Sequence, residues 1–162
     1  MEQTVTIPEW LKHPLFFQQE EVYLSARATV TAEPFFIYEL AGEEQPWAGE
    51  EKGMFLIAAE WTKLKSVLEK KFRQRDKNVQ AEMKAAAALF LMKLFWSNSA
   101  PVQLNGWQQN VKKFDIKPVN VEERLGFVLS ELYSYHAYVQ ICELMIEQEK
   151  QAAKYCVLKK KQ

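Results

Sequence analysis

From Ala81 to Trp96 the chain reads AEMKAAAALFLMKLFW, with an unbroken apolar run from Ala85 to Met92. A surface helix keeps a polar side for water, so a helix that is apolar around its whole circumference has to be enclosed by other elements. The four alanines, Ala85 to Ala88, carry almost no side chain and let neighbouring helices approach closely. Leu89, Phe90, Leu91, Leu94, Phe95 and Trp96 fill the wider space beyond them. The pattern predicts an all-α fold: a single-domain bundle of five to seven helices around this central one.

A chain of 162 residues can bury such a core as one domain over residues 1–162, without disulfides or metal as staples. At 48% apolar and 26% charged residues it has a globular rather than a disordered composition. The apolar run falls short of the ~20 residues that span a bilayer, and Lys93, Ser97 and Asn98 interrupt its extension. The opening MEQTVTIPEW lacks the basic and apolar regions of a secretory signal, so a cytosolic protein is expected. Cys142 and Cys156 fall in one expected helix, about 21 Å apart along its axis, too far to bridge. Both are expected to be buried structural thiols.

Four prolines, Pro8, Pro14, Pro34 and Pro46, punctuate the first fifty residues. The phrases His13-Pro14-Leu15-Phe16-Phe17 and Glu33-Pro34-Phe35-Phe36-Ile37-Tyr38 echo each other, and proline in a first turn followed by apolar residues predicts helices from Pro14 to Ala28 and from Pro34 to Ala41. Residues 1–12 and 155–162 are expected to fray, and residues 42–53 to form an exposed loop with Trp47 held on the surface. Between Met54 and Asp76, Ile57, Trp61, Leu64, Leu68 and Phe72 recur at the spacing of one helical face. Asn78 is the expected N-cap of the central helix, and a short helix is expected at Leu104–Lys113. Phe114–Val119 is expected to be extended, because Pro118 disfavours a helix. Asn120 and Glu123 then suggest a capping box, after which Val121, Leu125, Val128, Leu132, Tyr135, Val139, Cys142 and Ile146 step by four and three. That stepping predicts one long C-terminal helix, closed by the cationic Lys159-Lys160-Lys161.

Three groups of these residues, His13–Phe17, Gly106-Trp107, and Ile116-Lys117-Pro118-Val119-Asn120-Val121-Glu122-Glu123-Arg124 leading into a tyrosine-rich helix, resemble the YpoC family of Bacillus and its relatives. The resemblance covers most of the chain, residues 1–12 and 42–53 least. It lends no catalytic residue to carry over; it implies a genomic setting beside a replication-initiation protein and a DNA-repair glycosylase.

Net charge is zero but unevenly placed. Residues 1–60 carry three basic and eleven acidic side chains, net −8, whereas residues 63–77 carry seven basic and two acidic, net +5. Lys63, Ser66, Lys70, Arg73 and Lys77 form a stripe opposite the apolar face of their helix. It is either a solvated face, partly neutralised by the acidic first sixty residues, or a row of phosphate contacts without sequence readout. Trp61 and Phe72 fall on the apolar side, so stacking aromatics are not expected to alternate with these cations.

Only His13 and His136 are present, and neither stands in a Glu-x-x-His phrase, so a histidine-rich metal site is excluded. Glu143 and Glu147 share a helix face and are expected to face solvent. His136 is expected at a hydrogen-bonded boundary position. The five glycines form no phosphate loop or nucleophile elbow. Tyr133, Tyr135 and Tyr138 point to different sides of the last helix, so at least one should reach the surface, where aromatics anchor interfaces. The residues therefore favour a non-enzymatic, cytosolic protein-binding protein without cofactor or metal. The alternative is an accessory nucleic-acid binder using Lys63, Lys70, Arg73 and Lys77.

Overall fold

The computed structural model describes residues 2–49 and 51–160, the side chain of Lys160 excepted. Its elements are strands β1 (Gln3–Thr6) and β2 (Glu21–Leu24), then helices α1 (Ile37–Ala41), α2 (Glu51–Arg73), α3 (Gln80–Ser97), α4 (Trp107–Lys112), α5 (Val121–Ser130) and α6 (Tyr135–Lys160). The fold is a single helical bundle with a two-stranded appendage. Ala85 to Met92 are all buried, as are twelve residues of α3 in total. Helix α3 packs between α2 and α6. The helix without a polar side is thus the enclosed one.

The first forty residues depart from expectation. No helix runs from Pro14 to Ala28; a tight turn joins His13 to Phe17, and β2 pairs antiparallel with β1, Val5 opposite Val22 and Gln3 opposite Leu24. The physical reason lies in a period of two: Val22 and Leu24 turn inward while Glu21 and Tyr23 turn outward. For the same reason residues 3–11 are anchored rather than frayed, with Ile7 and Leu11 in the core. The two proline phrases pack against each other. Phe16 meets Phe35 and Phe36 edge-on at 5.9 and 5.1 Å, and Phe17 lies 6.2 Å from Phe36.

The loop expected over 42–53 is shorter, because α2 already begins at Glu51 and Gly53 is buried. A Cβ at Gly53 would stand only 3.0 Å from Pro46 Cβ and 3.1 Å from Trp96 Cε3, so glycine permits this approach. Trp47 is half-buried against Trp96, ring centres 6.2 Å apart. Asn78 does not cap α3; its N–H donates to Asp76 Oδ1, and Val79 holds the cap position without a side-chain bond. Asn120 does occupy the N-cap of α5, in the left-handed region at φ 56°, but no capping-box hydrogen bond forms.

The single long C-terminal helix is also corrected. Residues 131–134 form a turn, and α6 folds back along α5. Ser134 Oγ accepts from Ala137 N at 3.1 Å and starts α6. Arg124 donates from Nη1 to Glu147 Oε1 at 2.9 Å and from Nε to Gln140 Oε1 at 2.8 Å, and its Nη2 completes a bidentate pair with Glu147. On one straight helix those two residues would lie about 35 Å apart. Helix α6 continues to Lys160; Lys161 and Gln162 lie outside the described residues.

Candidate functional site

The three-and-four stripe of the C-terminal half divides at the turn. Val121, Leu125, Val128 and Leu132 are buried, whereas on α6 the core face is Ala137, Tyr138, Ile141, Leu144, Met145 and Gln148. The continuation of the stripe, Tyr135, Val139, Cys142 and Ile146, is left half-open or exposed, with Tyr135 57% and Ile146 53% accessible. These four residues line one wall of a groove of about 980 Å³ between α6 and the second half of α2. The facing wall carries Lys65, Glu69, Phe72 and Arg73, with Arg75 just beyond the helix.

The two walls run antiparallel. Phe72 stacks on Tyr138 at 5.2 Å and meets Tyr135 edge-on at 5.4 Å, closing one end, while Lys65 stands level with Cys142. Lys65 pairs with Glu69 at 3.5 Å. No ion pair involves Arg73 or Arg75 among the described residues, so the end closed by Phe72 is cationic. Burial pushes the Tyr138 phenol and the Cys142 thiol above their ordinary values, and both stay protonated at neutral pH. The Tyr138 hydroxyl is buried, with no oxygen or nitrogen partner among the described residues.

Of the stripe expected to contact phosphate, Lys63, Lys70 and Arg73 lie exposed on α2, and Lys77 lies past the end of that helix. Lys63 is 3.5 Å from Glu60, and Lys70 and Arg73 border a shallow hollow with Ser66, Glu69 and Gln74. Phe72 is half-buried against the core and, with Tyr135, borders the groove beside Arg73 and Arg75.

Other candidates separate. His136 is exposed on the first turn of α6 and does not line the groove. His13 is half-buried, accepts from Leu15 N at Nδ1 over 3.1 Å, and is held below its ordinary pKa by burial. Glu143 is exposed at the groove edge, but Glu147 is not simply solvent-facing, because Arg124 engages it and lowers its pKa. Cys142 is half-buried, whereas Cys156 is exposed rather than buried. Among the described residues no three His, Cys, Asp or Glu side chains gather closely enough to share a metal ion. No helix among them is long and apolar enough to cross a membrane.

Val139, Cys142 and Ile146 are site residues that no motif marks; their one signal in the sequence is a stripe too long for a single buried face, which must surface somewhere.

Known proteins carry the comparison further. Residues 51–160, which contain both groove walls, match the family described as YpoC-like protein. Gly106-Trp107 and Ile116–Arg124 fall within that match and His13–Phe17 outside it. The chain is 33% identical over 122 residues, 74% of each chain, to the uncharacterized protein YpoC of Bacillus subtilis (strain 168). No solved structure matches it significantly. On the extent of the first match and the identity of the second, the chain belongs to the YpoC-like protein family.

Proposed function

We propose that this is a non-enzymatic protein of the cytosol that acts by binding another protein, and that the α2–α6 groove is where it does so. The observation that carries this reading is the stripe of Tyr135, Val139, Cys142 and Ile146, exposed at its two ends, half-open between them and flanked by charged rims. An apolar floor within a polar border is the arrangement of interaction surfaces. The protonated Cys142 thiol and the displaced His136 supply no activated nucleophile, which favours binding over catalysis. The setting implied by the family resemblance makes replication or repair factors the partner class to try first.

A photo-crosslinking residue placed at Val139 or Ile146 should yield a discrete protein adduct in cells, absent when the same residue replaces the exposed Ala59. Failure to form any adduct specific to the groove positions sinks the reading.

A second reading has its own observation: Lys63, Lys70 and Arg73 form an exposed cationic row with Phe72 and Tyr135 close to one end. If that row meets phosphates, binding to a generic duplex weakens steeply as salt rises. No binding at low salt eliminates it.

A further inference from the structure

Resting on the protein-binding reading, we infer that the groove seats an amphipathic helix of about three turns, with an apolar edge at i, i+4 and i+7 spacing and carboxylates over Arg73 and Arg75. The length follows from the floor. Tyr135 to Ile146 is twelve residues of α6, eleven rises or about 16 Å, which a helix of about twelve residues matches.

The conformation follows from the walls. Both are helices whose backbone groups are bonded internally along the groove, so they offer no ladder to an extended strand. An extended peptide pressed on Val139, Cys142 and Ile146 would leave its own N–H and C=O groups facing apolar side chains. A helix brings its backbone already bonded and lays a ridge of side chains into the space between α2 and α6, as an amphipathic helix does in an apolar groove.

The charge follows from the unpaired rim. Lys65 is already matched by Glu69, which leaves Arg73 and Arg75 at the end closed by Phe72, with Lys70 nearby on the same helix. Carboxylates meeting these guanidinium groups form charge-assisted, bidentate hydrogen bonds. A nucleic-acid strand suits the floor less well. Glu69 and Glu143 stand in the groove, and the floor offers an exposed ring only at Tyr135, so stacking cannot repeat along a strand over Val139, Cys142 and Ile146.

The test uses the full chain and three labelled synthetic peptides of about sixteen residues. One is an amphipathic helix with leucines at the stated spacing and glutamates at one end; one has lysines for those glutamates; one scrambles the leucine spacing. The acidic peptide should bind about tenfold more tightly than either control and gain helicity on binding. Ile146→Glu should weaken it by about tenfold or more, and the double variant Arg73→Glu, Arg75→Glu should reverse the preference toward the lysine peptide. Unchanged circular-dichroism melts verify that the variants fold.

Equal affinity for all three peptides, or no binding, overturns the inference. So does an oligothymidylate that displaces the acidic peptide and loses affinity in the double variant. A dimer in sedimentation that Ile146→Glu dissolves overturns it too, since the occupant is then a second copy. A cellular crosslink at Val139 without any peptide preference leaves the protein-binding reading standing and removes the acidic helix; absence of both removes both.

Discussion

Glu39 holds a carboxylate where water does not reach. Its Oε2 accepts from Trp96 Nε1 at 2.7 Å and from Val102 N at 3.0 Å, while Oε1 has no partner among the described residues. Burial outweighs those two hydrogen bonds and lifts its pKa above the ordinary 4.5. The folded protein therefore binds this proton more tightly than the unfolded chain. The resulting stabilisation is complete below pH 4.5 and is lost as pH rises through the folded-state value. Urea titrations from about pH 4 to 8, followed by tryptophan fluorescence, should show that decline in the native protein and a flatter profile for Glu39→Gln. Glu39→Ala should cost about 2–4 kcal/mol, from two orphaned donors and a cavity. None of this was legible in the sequence, because the partners lie 57 and 63 residues away.

At the scale of elements, the turn between α5 and α6 shows why a regular apolar pattern misleads about continuity. Leu132 stays buried within the turn, so the spacing runs through a break that only Ser134 marks. Ser134→Ala should destabilise the protein by about 1 kcal/mol in chemical denaturation, the usual effect of losing a serine N-cap. The Arg124–Glu147 pair then joins the two helices. Because Glu147 is 37% exposed, solvent screening limits the loss in Glu147→Gln to about 1 kcal/mol at neutral pH. Arg124 depresses the Glu147 pKa, so the stabilisation is present above 4.5 and lost as pH falls through the folded-state value. The gap between variant and native protein should close in acid. Helix α3 was readable almost to the residue, since an all-apolar segment allows one environment. The strand β2 was not, because a four-residue alternation beginning with glutamate is easily taken for the face of a helix.

For the whole molecule, the distribution of tolerance follows from which faces α3 covers. Ala87 is fully buried, and Ala87→Leu should cost about 1–3 kcal/mol by overpacking, read as a lower urea midpoint. Ile146→Lys, on the open side of α6, should change stability by no more than about 0.5 kcal/mol while removing the protein adduct formed at the groove. A buried helix is visible in a sequence because its environment is uniform. The groove is harder to see, since its walls come from segments more than sixty residues apart and only their antiparallel meeting brings Phe72 to Tyr135.

That meeting sets the groove's shape in advance. Phe72 stacked on Tyr138, with Tyr135 edge-on beside them, acts as a spacer between two jaws, so the cleft stands ajar. In the proposed docking the host gives up little freedom, and the entropic toll of becoming ordered falls almost wholly on the incoming segment.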